Sequence, residues 1–193
     1  MKNESKIIIA ILYSQGLASV SAYFSAAIVS NMITGHTPFF LISFSILSLL
    51  PFLYVKKINP RYLLIFSFLT FLLSLGIMVV SHEYIDLSGD VMDAFILLLI
   101  SILLFASLRD SINLLYSGLS FYLVGIGLLI SYSALKIIIL LADVFDYYIN
   151  CIGESCAPYT TGVIPAIVLI LLTFPALIPY WHRDLFRREA YDS

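Results

Sequence analysis

Long apolar runs free of charge recur along this chain, and they constrain its fold more than any motif does. Lipid offers a backbone no hydrogen-bond partner, so a segment that crosses it must satisfy its own N–H and C=O groups. A crossing helix takes about 20 mostly apolar residues. Six runs meet that need: 7–33, 38–55, 62–81, 91–108, one from 112 past 131, and 161–181. Turn-forming residues separate them at Thr34-Gly35-His36-Thr37-Pro38 and Lys56-Lys57-Ile58-Asn59-Pro60-Arg61. The stretch from His82 to Asp90 is polar and acidic, and Arg109-Asp110-Ser111 is the shortest break.

Composition agrees with this reading. The 193 residues are 61% hydrophobic and 11% charged, against about 45–50% and about 25% in soluble domains. So few charges cannot cover a soluble globule, which excludes an ordinary cytosolic enzyme and a disordered chain. A net charge of −2 leaves no basic surface for nucleic acid. The expected fold is an all-α integral membrane bundle of six helices: one transmembrane domain over 1–182, then a short amphipathic cytoplasmic tail over 183–193.

Lys and Arg concentrate on the cytoplasmic side of membrane proteins. With six spans and a cytoplasmic N-terminus, that side holds Lys2, Lys6, Lys56, Lys57, Arg61, Arg109, Arg183, Arg187 and Arg188, which is nine of the ten basic residues. Only Lys136 falls outside. The spans are chosen on hydropathy, so the charge asymmetry is an independent check on their number. Both termini are expected inside. The basic start and first apolar run resemble a signal peptide, but no convincing cleavage site follows, and an uncleaved first span is expected.

The fifth span is unusual. From Ile112 to Tyr147 there is no Pro and no strong turn signal. A continuous helix of that length reaches roughly 54 Å, of which the hydrocarbon core absorbs about 30 Å. The remainder, with Asp143 and Asp146, is expected to project outside or bend along the surface. Lys136 then sits just beyond the outer boundary, where its stem can snorkel.

The only two cysteines, Cys151 and Cys156, fall in one outer loop. An oxidising face favours a disulfide between them. A thiol oxidoreductase would relay through two cysteine pairs, and a metal site would need further ligands nearby.

Polar groups within the spans are few. Ionisable residues in membrane segments are functional candidates, yet no span carries one at its centre, which argues against a proton relay. Gln15 lies among small residues (Ser14, Ala18, Ser21, Ala22, Ser25 and Ala26) that share much of one helix face. This is a packing face with Gln15 bonded across it, or the lining of a solute path. Gly118, Gly125 and Gly127 read as points of close helix approach. Pro175 kinks the inner half of the sixth span, either structurally or to free carbonyls at a binding site. Asp93, just inside the fourth span, can pair with Lys136, as a structural ion pair or as part of a transport site.

His36 and His82 fall on the same outer face, and with Glu83, Asp86 or Asp90 could hold a b-type haem or a copper ion. Otherwise they are solvated loop histidines and no cofactor is expected. Tyr180-Trp181-His182-Arg183 is an interfacial anchor. Ser67, Leu69, Thr70, Phe71 and Leu73 echo Ser117, Leu119, Ser120, Phe121 and Leu123. Two copies of a helical hairpin would give this pattern, and so would chance in a chain this rich in Leu, Phe and Ser. Nucleotide-binding, zincin and serine-hydrolase motifs are absent from the sequence.

These features point to a non-catalytic accessory subunit of a larger membrane complex, a respiratory complex among the candidates. Its expected partners are lipid and other membrane subunits. The alternatives are an oligomeric small-solute or ion transporter, and a haem or copper electron-transfer subunit. The expected location is a prokaryotic plasma membrane; the richness in Ile, Leu, Ser and Tyr suggests an archaeal one.

Overall fold

A computed structural model of the chain describes residues 2–34, 91–150, 171 and 173–187. These residues are almost wholly helical. Three long helices, α1 (Lys2–Thr34), α2 (Val91–Ile112) and α3 (Tyr116–Asn150), are each apolar and long enough to cross a membrane. A tight 3-10 turn over Phe174–Leu177, a short helix α4 (Ile178–Trp181) and a second 3-10 turn over Arg183–Leu185 follow. The expected spans at 38–55 and 62–81, and most of that at 161–181, lie outside the described residues.

The helices pack in a fixed register. Gln15 of α1 meets Leu104 of α2, Ala18 meets Ser101, and Ser25 meets Ala94. Ascent along α1 is thus matched by descent along α2, and the pair is antiparallel. On the other side of α2, Gly118 of α3 meets Asp110 and Ser111, Gly125 meets Leu104, and Lys136 meets Asp93. That pair is antiparallel too, so α1 and α3 run the same way. The buried positions of α2 (Ala94, Leu97, Ile100, Ser101, Leu104, Ser107, Leu108 and Ser111) recur every three or four residues. This is the seam spacing of helices crossing at a shallow angle.

One helix boundary differs from the sequence reading. Arg109, Asp110 and Ser111 do not separate two helices; they form the last turn of α2, which runs on to Ile112. The break falls instead at Asn113–Leu115. There the Leu115 N–H donates to the Asp110 carbonyl at 2.9 Å and the Leu114 N–H to the Ser111 carbonyl at 3.0 Å. This bonding is a Schellman stop, which places the residue after the cap in the left-handed region. Leu114 occupies that position, with φ of 59°. Glycine or asparagine usually stands there; leucine gives no such signal, and the sequence therefore reads as continuous. Once started at Tyr116, α3 is unbroken for 35 residues, as its lack of proline implied.

The glycines differ in what they permit. A Cβ on Gly118 would lie 2.2 Å from the Ser111 backbone nitrogen, and one on Gly125 would lie 2.8 Å from the Leu104 side chain. Around Gly127 there is open space. Gly118→Ala is therefore expected to destabilise the bundle by at least about 1–3 kcal/mol, the usual cost of overpacking. Gly127→Ala should be neutral or gain up to about 1 kcal/mol of helix propensity. Reversible unfolding in mixed detergent, followed by circular dichroism, measures both. Equal effects would refute the packing described here.

Candidate functional site

Two polar places interrupt the apolar interior of the three long helices, and they lie at different depths. The first surrounds Gln15, which is fully buried. Its Nε2 donates to the Leu104 carbonyl at 2.8 Å. That same carbonyl accepts the Ser107 hydroxyl at 2.7 Å. The Gln15 Oε1 is buried and has no hydrogen-bond partner among the described residues. Turning the amide over would set oxygen against the Leu104 carbonyl, so the orientation follows from the acceptor opposite.

Serines line the same interface. Ser25 donates to the Ala94 carbonyl at 2.6 Å across the α1–α2 seam, and Ser101 shares its proton between the Ala18 carbonyl across the seam at 3.0 Å and the Leu97 carbonyl of its own helix at 2.8 Å. Ser14, Ser19 and Ser21 donate back to carbonyls of their own helix. In lipid a serine must find an acceptor, and the small side chain lets the neighbouring backbone supply one.

Tyr122 joins α3 to the C-terminal segment. It is fully buried, and its hydroxyl donates to the Ala176 carbonyl at 2.6 Å. In a 3-10 turn the Ala176 carbonyl would look to residue 179, which is a proline with no N–H to give. The tyrosine supplies the missing donor. Pro175 plays a different part: its ring is exposed and its carbonyl accepts the Ile178 N–H. The proline whose missing donor matters here is thus Pro179, which is buried. Tyr122 carries no sequence signal beyond its place in the α3 seam.

The second polar place is the far end of the α2–α3 pair. Lys136 Nζ donates to Asp93 Oδ2 at 2.5 Å, with the two side chains 34% and 16% exposed. Asp93 also lies close to the Tyr132 hydroxyl, and the ammonium lies 5.6 Å from the Tyr132 ring centroid. The sequence suggested the ion pair; the ring that faces the ammonium follows from helical spacing, since Tyr132 lies one turn before Lys136. From Tyr116 to Lys136 α3 rises about 30 Å, which equals the thickness of a hydrocarbon core, also about 30 Å.

Beyond Lys136, α3 continues to Asn150 with no buried residue. Ile138, Phe145 and Ile149 are 65%, 67% and 63% exposed. Asp93 is only the third residue of α2, so α2 ends beside Lys136 and leaves the rest of α3 without that neighbour.

Cys151, Cys156, His36 and His82 lie outside the described residues. Among the described residues no three His, Cys, Asp or Glu side chains converge as metal ligands.

The Asp93–Lys136 pair is open to a double-mutant cycle. Asp93→Asn and Lys136→Met should each destabilise the α2–α3 pair, and the double variant should recover about 1 kcal/mol of the summed loss, a coupling typical of contacting residues. Detergent-induced unfolding gives the three differences; strict additivity would mean that the contact contributes nothing. The chain matches no protein-family model, no curated protein and no solved structure.

Proposed function

We propose that this chain is a non-catalytic accessory subunit of a larger integral membrane complex. In this reading it crosses a prokaryotic, archaeal-type plasma membrane six times with both termini cytoplasmic. The observation that carries the proposal is the overhang of α3. The polar levels at Tyr116 and Lys136 stand one hydrocarbon thickness apart, so the 137–150 stretch reaches roughly 20 Å beyond the lipid tails. That stretch is apolar on nearly every side, interrupted by Asp143 and Asp146. Asp143, Asp146 and Asn150 share one face of it, and the wide apolar face opposite is one that a partner's surface would bury. Another membrane subunit, lying beside this one, would cover Ile138, Phe145 and Ile149.

Charge distribution supports the orientation. The antiparallel register puts Lys2 and Lys6 at the same end as Arg109, and the Leu115–Arg187 bridge brings Arg183 and Arg187 there. Lys136 stands at the other end, paired with Asp93. Apart from Asp110 at the α2–α3 turn, the described spans carry no other charge within their seams, which favours a scaffold over a proton relay. Respiratory assemblies are the first complexes to search.

A second reading, a small-solute transporter acting as an oligomer, draws on the unpartnered Gln15 Oε1. An acceptor held dry at mid-depth would suit a solute that donates a hydrogen bond.

Native purification in mild detergent, with mass spectrometry of the co-migrating chains, tests the leading reading. Stoichiometric partners are expected, and Phe145→Arg with Ile149→Arg should release them while leaving helicity unchanged. A lone chain or homo-oligomer would overturn it. For the second reading, Gln15→Leu should abolish solute uptake into vesicles without loss of the folded bundle; unaltered uptake would exclude that role.

A further inference from the structure

The C-terminal segment returns to the α2–α3 turn and is stitched to it by backbone. The Arg187 N–H donates to the Leu114 carbonyl at 2.6 Å, and the Tyr116 N–H donates to the Arg187 carbonyl at 3.0 Å. The second bond caps the first turn of α3, whose N–H groups have no partner within the helix. Phe186 is buried beside it, in one cluster with Ile7, Ile11, Leu108 and Leu119. Arg187 is therefore held at the same turn as Arg109, whose carbonyl accepts the Asn113 N–H.

Four cations gather at this end: Lys6, Arg109, Arg183 and Arg187. All four are exposed, and none makes an ion pair with a described carboxylate. Three described acids, Glu4, Asp110 and Asp184, stand at the same end, one fewer than the cations. Asp110 accepts the Ser117 hydroxyl at 3.1 Å across the turn, and Glu4 has a partner of its own. Among the described acids Asp184 also stands on the surface, beside the arginines. Around them stand exposed aromatic side chains, with Tyr116 39%, Tyr180 48% and Trp181 64% exposed. Tyr and Trp settle at headgroup depth, where a polar tip and an apolar body are both satisfied.

We infer that this end of the bundle, built from the α2–α3 turn and the clasp at 183–187, binds the phosphate groups of acidic phospholipids. Arg109 and Arg187 supply planar guanidinium donors that match phosphate oxygens. Lys6 and Arg183 add charge, and Tyr180 and Trp181 pack against the glycerol and upper acyl region. The inference rests on the three helices lying in a membrane, and not on the chain being a subunit of a complex.

The purified chain, or its complex, is reconstituted in nanodiscs that mix phosphatidylglycerol and phosphatidylcholine. It is then released into mild detergent, and retained lipid is counted by native mass spectrometry. Retention of phosphatidylglycerol over phosphatidylcholine is expected. In the R109Q, R183Q and R187Q variants it should fall by about fivefold for each charge removed. The corresponding lysine variants should keep most of the preference, and Asp143→Asn at the far end should not alter it. Unchanged helicity and melting temperature mark the variants as folded. Should they fail to fold, the wild-type chain still decides the matter, since added salt must strip phosphatidylglycerol selectively. Equal retention of the two lipids, retention untouched by the glutamines, or full displacement by inorganic phosphate alone would overturn the inference. Loss of a co-purifying subunit with lipid retention unchanged would overturn it too, by assigning the arginines to a protein partner.

Discussion

Apolar side chains gain nothing by touching one another instead of lipid tails, so helices in a bilayer associate through what lipid cannot supply. Two such interactions hold this bundle. One is close backbone approach, at Gly118 against the last turn of α2 and at Gly125 against Leu104. The other is hydrogen bonding to helix carbonyls, from Gln15, Ser25 and Ser101 across the α1–α2 seam. Both converge on α2, which therefore serves as the shared wall. Each interhelical bond is worth only about 0.6 kcal/mol in lipid, so these bonds set the register more than they supply the stability.

That register then determines where charge falls. Antiparallel pairing on both sides of α2 gathers Lys6, Arg109, Arg183 and Arg187 at one end. It leaves Asp93 and Lys136 to neutralise each other at the opposite boundary. The interior between holds Gln15 and hydroxyl groups only, each tied to a backbone carbonyl wherever one is in reach. Two atoms are exceptions among the described residues, the Ser111 Oγ and the Gln15 Oε1. A lone buried acceptor costs roughly 1–3 kcal/mol, which the bond from its own Nε2 offsets in part.

The turn between α2 and α3 shows how distant contacts stabilise an unfavourable local state. A leucine in the left-handed region costs about 1–2 kcal/mol. Two backbone bonds from Arg187, at about 1 kcal/mol each, are of the same size, and Phe186 closes over the turn from the same strap. Local signals were therefore silent at Leu114, because the stabilising partner is remote in the chain. The same holds for Tyr122 and Ala176: a proline three residues on removes one donor, and a tyrosine from another helix replaces it.

By itself the sequence determined the helical class, the position of the apolar segments at 7–33 and 91–108, the unbroken run of α3 past Lys136, and the residues able to form the Asp93–Lys136 pair. Hydropathy, length and the absence of proline act locally, and lipid leaves a local apolar run no option but to be helical. Only the tertiary structure decided where α2 stops, which glycines are obligatory, that Pro179 and not Pro175 leaves the carbonyl for Tyr122, and that Gln15 bonds to Leu104 with one oxygen left over. Those outcomes depend on which backbone atoms come within hydrogen-bond distance across a seam. Residue type sets what a group can donate or accept, and only packing sets what lies opposite.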